Sequence, residues 1–138
     1  MKHYPVYIYI GDDDKKIKSL INDLEKSFPT GLEREVYFTE DTPVNELFSS
    51  LNTPSLFGSG KIIKVYGFEK WLVDLYPYFK NPTENIYLIL ISYLEPKEIE
   101  GKVKQYITKG VYLKTISAAK QAQEEIFNLL SELNILLT

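Results

Sequence analysis

Cysteine is absent from the 138-residue chain, which excludes a disulfide framework and any thiolate metal site. Histidine occurs once, at His3, so neither a histidine-built metal cluster nor a Ser–His–Asp arrangement can be assembled; His3 reads as an ordinary surface residue. A basic excess is missing too. The 16 Lys and Arg stand against 19 Asp and Glu, a net charge of −3, with both signs mixed along the chain. A domain that holds nucleic acid through its phosphates shows a basic stripe, so no direct nucleic-acid binding is expected. The longest apolar run, Ile86 to Ile91, is far short of the roughly 20 residues a membrane helix needs. Met1-Lys2-His3-Tyr4-Pro5 leads straight into a strand-like segment, with no apolar leader and cleavage site. Together these absences point to a cytoplasmic protein.

What is present suits one domain over residues 1–138, large enough to bury about two-thirds of the surface its unfolded chain exposes. Apolar residues make up 44% and charged residues 25%, as in ordinary globular proteins, while 11 Tyr and 7 Phe make it rich in aromatics.

Strand and helix patterns alternate. Val6-Tyr7-Ile8-Tyr9-Ile10, ended by Gly11, reads as a strand. From Asp12 to Phe28 the period changes, and Ile17, Leu20, Ile21, Leu24 and Phe28 share a helix face. Glu35 to Phe38 is a second strand. Thr42-Pro43 predicts a helix start, a capping hydroxyl with proline at the first helical position, and Val44, Leu47, Phe48 and Leu51 form its apolar face. Thr53-Pro54 repeats the start signal, but Gly58 limits any helix there to about a turn. Lys61 to Tyr66 is a strand, and Glu69 to Phe79 a helix with Leu72, Leu75, Tyr76 and Phe79 inward. Asn85 to Ser92 suits the centre of a parallel sheet covered on both faces. A helix from Pro96 to Ile107, a strand from Val111 to Ile116 and a helix from Ala118 to Leu136 follow. Five strands interleaved with helices predict a parallel sheet in a three-layer α/β/α sandwich. The ending Leu136-Leu137-Thr138 carries no stop signal, as expected of a fragment of a longer protein.

In open α/β folds the turn after the first strand binds phosphates. Here it reads Gly11-Asp12-Asp13-Asp14-Lys15-Lys16, with one glycine and three carboxylates. Those acids repel a triphosphate and suit a helix N-terminus that holds no anion. Acids after the first strand also occur in phospho-receiver domains, and Ser92 and Lys114 stand where such a domain keeps a hydroxyl and a lysine. The phospho-acceptor aspartate at the end of strand three is missing, replaced by Val65-Tyr66-Gly67. A degenerate receiver-like signalling or protein-interaction domain is the alternative reading. An ATPase would need acids at the same place, so no enzyme activity, metal or cofactor is expected.

One segment remains, Thr53-Pro54-Ser55-Leu56-Phe57-Gly58-Ser59-Gly60. Two large apolar side chains lie side by side between breakers, and one short amphipathic turn cannot bury both. Two outcomes stay open on pattern alone: the pair tucks back into the core, or it stands proud and anchors in a partner's pocket.

The opening Pro5-Val6-Tyr7-Ile8-Tyr9-Ile10-Gly11 and the run Asn52-Thr53-Pro54-Ser55-Leu56-Phe57-Gly58 resemble the N-terminal domain of the delta subunit of bacterial DNA polymerase III. The run leads into Lys61-Ile62-Ile63-Lys64-Val65-Tyr66 and Phe68-Glu69-Lys70, and the order of later elements, through Val111-Tyr112-Leu113-Lys114, also fits. The resemblance implies an AAA+-like fold, of the P-loop NTPase type, without a functional nucleotide site. It implies a non-catalytic subunit of a DNA-directed DNA polymerase, a nucleotidyltransferase, at work in DNA replication. The subunit's task there is to bind and help open the β sliding clamp through a Leu-Phe hook. That role falls on Leu56 and Phe57, with Ser55, Pro54 and Thr53 beside them; Asn52 stands where clamp-binding motifs often place a longer Gln. The remaining partners implied are the gamma/tau and delta-prime subunits of the clamp loader, reached through two further domains outside this chain.

Overall fold

The computed structural model describes residues 3–56 and 58–137, with backbone alone at 118–122, 124 and 134–137. Its elements are β1 (Val6–Gly11), α1 (Asp14–Ser27), β2 (Glu33–Phe38), α2 (Val44–Leu51), β3 (Lys61–Tyr66), α3 (Leu72–Lys80), β4 (Ile86–Ser92), α4 (Pro96–Lys104), β5 (Val111–Ile116) and α5 (Ala118–Leu137). The five strands form one parallel sheet in the order β2-β3-β4-β1-β5, the architecture the alternating pattern predicts.

Each strand's pattern matches its place. β1 pairs on one side with β4, Val6 opposite Leu88, and on the other with β5, Val6 opposite Val111, and all six of its residues are buried. At the edge, β2 alternates half-buried and exposed residues. Successive side chains of a strand point to opposite faces, which divides the core. Val6, Ile8, Ile10, Ile63, Val65, Leu88 and Leu90 meet Leu47 and Leu51 of α2, Leu75 and Phe79 of α3, and Ile99 and Val103 of α4. Tyr7, Tyr9, Ile62, Ile89 and Ile91 meet Ile17, Ile21, Leu24 and Phe28 at α1. Right-handed crossovers require this split, because the chain leaves β1 in one direction along the sheet and returns from β2 in the other. Burial, with Tyr112 and Tyr7 close by, pushes the Tyr9 hydroxyl up to about 12.

The sheet order overturns the receiver-like alternative. A receiver places β1 between β2 and β3; here it lies between β4 and β5. Ser92 is buried opposite Ile10, and its Oγ accepts the Leu94 N–H at 3.3 Å. Lys114 is exposed and lies opposite Tyr9 on the far side of β1.

Several helices depart from expectation. Thr42 does not cap α2: Pro43 is the N-cap, without a side-chain hydrogen bond, and the helix begins one residue later. Thr53-Pro54 opens no helix, since residues 52–56 are turn, bend and irregular backbone. The segment expected to start a helix at Glu69 first makes a 3-10 turn over Phe68–Trp71, following Gly67 at φ 79°. With three residues per turn, Phe68 and Trp71 fall on the same side, and both are buried. Tyr78 takes the inward place expected of Tyr76; the Tyr76 ring instead lies 4.6 Å from Tyr106 and 4.5 Å from the Lys80 ammonium. α4 ends at Lys104, short of Ile107. On α5, Ile126, Phe127, Leu129, Leu130 and Leu133 are each more than half exposed. His3 packs against Phe28 and Tyr87 and lies 3.0 Å from the Ser27 Oγ.

Phe79 is 1% exposed at the centre of the three-helix face. Phe79→Ala is therefore expected to cost about 3–5 kcal/mol in urea unfolding. A loss below about 1 kcal/mol would show that this layer is not packed as described.

Candidate functional site

Two loops are candidates, and they lie at opposite ends of the sheet. The turn after β1 is at the C-terminal end of the strands, and the segment between α2 and β3 is at the N-terminal end. Six-residue strands separate the two by roughly 20 Å.

The first loop is filled by its own chain. Asp13 is the N-cap of α1, and its Oδ1 accepts the Lys16 N–H at 3.1 Å, while Asp14 adds charge to the first turn. The helix N-terminus, which in phosphate-binding folds faces an anion, here carries a carboxylate of its own. Gly11 serves a packing need, since a Cβ there would collide with the Ile116 backbone oxygen of β5.

The second loop, residues 52–60, is tied down on both sides of Phe57. Leaving α2, the Asn52 N–H donates to the Phe48 carbonyl at 3.1 Å and the Thr53 hydroxyl to the Ser49 carbonyl at 2.7 Å. The Leu56 N–H donates to Glu33 Oε1 at 2.6 Å. Ser55 closes the turn from within: its carbonyl takes the Gly58 N–H at 3.3 Å and its Oγ the Gly60 N–H at 3.0 Å. Ser59 Oγ donates to the Gly31 carbonyl at 3.0 Å, and the Glu33 N–H to the Gly60 carbonyl at 3.1 Å. At the downstream root two left-handed residues meet, Gly60 at φ 109° and Asn85 at φ 62°. A Cβ on Gly60 would strike the Asn85 backbone oxygen. Between the loop and the 83–86 segment lies a shallow cleft of about 180 Å³.

While its backbone is held, the Leu56 side chain is 87% exposed, the most exposed large apolar side chain among the described residues. Thr53 and Pro54 are exposed beside it and Ser55 is half-buried. Phe57, the other half of the expected hook, lies outside the described residues. Of the two outcomes open for the segment, Leu56 takes the displayed one.

Beneath the upstream root lies a polar cluster that sequence reasoning missed. Lys61 is 4% exposed; its Nζ donates to the Ser50 carbonyl at 3.1 Å and lies 3.4 Å from Glu35 Oε2. The Glu35 carboxylate also accepts the hydroxyls of Ser50 and Tyr37, each at 2.6 Å to Oε1. Burial alone would raise the Glu35 carboxyl, but the Ser50 and Tyr37 hydroxyls and the Lys61 ammonium outweigh it and hold the group below its ordinary 4.5. The cluster clamps the end of α2 to β2 and β3 just before the loop departs. Its signal in the sequence is a lysine opening an apolar strand: a buried ammonium needs an acid, and an edge strand with Glu at alternate positions supplies one.

Fold and loops together define a class, a parallel α/β domain with a carboxylate-filled strand-end turn and a displayed apolar residue at the opposite end. The family model for DNA polymerase III, delta subunit, matches residues 7–119. The chain belongs to that family. It is also similar to the solved Bacillus subtilis DNA clamp loader delta protein (YqeN), with a TM-score of 0.72 and 15% identity over 94% of this chain. Identity that low speaks for the fold alone. The chain spans less than half of that solved chain, 44% of its length. No curated protein sequence matches the chain.

Because the folded Glu35 carboxyl is held low, its contribution to stability is present above its ordinary value and is lost as pH falls through the lowered one. Glu35→Gln should cost at least about 1.5 kcal/mol at pH 7. The gap to the parent should narrow as thermal melts are taken from pH 5 downward. A gap independent of pH would rule out the charged cluster.

Proposed function

We propose that this chain is the clamp-binding domain of a clamp-loader delta subunit, acting in DNA replication without catalysis of its own. The observation that carries the reading is Leu56, 87% exposed on a loop whose backbone is held at Asn52, Thr53, Ser55, Leu56, Gly58 and Gly60. An apolar side chain of that size in water is unfavourable for a free domain, and burial in a partner's pocket removes the cost. Family membership supports a pocket on the β sliding clamp as the acceptor.

In this reading Leu56 and Phe57 enter the clamp pocket, with Ser55, Pro54 and Thr53 lining the rim. Binding that favours a sprung form of the nearby clamp interface shifts the ring toward opening. The energy of hook binding is then the source of the work, and ATP acts on other subunits. The Asp13 carboxylate at the start of α1 supports that division, because it holds the place a phosphate would take. The gamma/tau and delta-prime subunits are the partners this reading assigns to the rest of a longer, three-domain subunit, in the cytoplasm.

The test is a titration against the cognate β clamp with Leu56→Ala/Phe57→Ala as control. The parent should bind, and the variant should bind at least about tenfold more weakly with an unchanged melting temperature, as for a displayed anchor. Failure of the parent to bind overturns the proposal. A large fall in stability of the variant would place the pair in the core instead.

A further inference from the structure

We propose that Glu33 is the positioning residue of the hook, a latch that holds the loop in the form the partner meets. The inference rests on the hook reading above. Glu33 is the first residue of β2 and holds the loop at two points. Its backbone N–H donates to the Gly60 carbonyl at the downstream root, 3.1 Å, and its Oε1 accepts the Leu56 N–H at the tip, 2.6 Å. Leu56 and Gly60 are thereby fixed to the same residue of the sheet, and Ser55 closes the span between them with two bonds of its own.

The choice of an acid is physical. A hydrogen bond to a carboxylate is shorter and stronger than one to a neutral acceptor, and the 2.6 Å distance is of that kind. β2 pairs only with β3, so the Glu33 side chain stands at the free edge of the sheet and reaches a loop that precedes the neighbouring strand. A loop whose tip is already fixed has less freedom to lose when a partner arrives, so the latch acts on affinity by preorganisation and need not touch the partner.

Three variants and their combination test the latch: Glu33→Ala, Glu33→Gln, Leu56→Ala, and Glu33→Ala with Leu56→Ala. Each is measured for clamp affinity, melting temperature and, by NMR, hydrogen exchange at the residue-56 amide in the free protein. Glu33→Ala should speed exchange at that amide and weaken binding about five- to tenfold, with the melting temperature unchanged. Glu33→Gln keeps an acceptor oxygen and should recover most of the affinity. In the Leu56→Ala background the loss from Glu33→Ala should vanish, because a latch without its anchor holds nothing. Parent-like affinity and exchange in Glu33→Ala, or an equal loss in both backgrounds, overturns the proposal. If Leu56→Ala itself binds like the parent, the hook reading has failed and the latch falls with it. If Leu56→Ala binds weakly while Glu33→Ala does not, the latch alone has failed.

Discussion

β1 is the constraint on which the rest of the structure depends. It is hydrogen-bonded on both sides, to β4 and to β5, and covered on both faces. A strand so placed has its backbone satisfied by its two neighbours and favours apolar and aromatic side chains, which Val6-Tyr7-Ile8-Tyr9-Ile10 supplies. With it goes the placing of α1 on the Tyr7–Tyr9 face and of α2, α3 and α4 on the Val6–Ile8–Ile10 face. The loops are what remains free, and they can gather only at the two ends of the strands.

At each end a carboxylate decides the character of the loop. Asp13 turns its charge inward on the first turn of α1 and makes the β1–α1 connection self-contained. Glu33 turns outward to a backbone N–H of a loop that follows another helix, and Glu35, two residues on, joins the cluster around Lys61. Removing an ammonium from water is costly, and Glu35 with the carbonyl and hydroxyl of Ser50 offsets it, while the Tyr37 hydroxyl donates to Glu35. The same bonds leave the end of α2 little freedom to shift. An apolar side chain is thus displayed from a frame that is itself polar and rigid.

The sheet was legible because its signals are local. The continuous apolar run at Ile86 to Ile91 marks a central strand within a few residues, whereas Glu35 to Phe38 read only as a strand, and its place at the edge, with Val36 and Phe38 turned outward, did not show in its composition. Helix starts were read less well. Thr42 had the right chemistry for a cap, yet the backbone turned at Pro43 instead, and a 3-10 turn at Phe68–Trp71, with both aromatics buried, precedes the helix expected to start at Glu69. On α3, Leu72, Leu75 and Phe79 face inward as read, and only the fourth place differs, taken by Tyr78 instead of Tyr76. At the site, composition singled out Leu56 by its setting between breakers. What holds it was not visible, since Glu33 stands 23 residues before Leu56 and Lys61 pairs with Glu35 across a strand register. Contacts of that range depend on the completed sheet, not on neighbouring residues.

The position of β1 also bears on the order in which the molecule can assemble. Val6 finds its partners at Leu88 and Val111, so the earliest made of these five strands is the last to be flanked. By contrast β2, β3 and β4 pair in sequence order, each with its immediate successor. During synthesis the chain can close the β2-β3-β4 unit with the loop at 52–60 already in it, while Val6–Gly11 waits unpaired for more than half the chain. Pairing at such range is slow, since the long loop must close before any contact repays it. A strand of five apolar and aromatic residues held open for that interval is the part of this protein most exposed to wrong partners.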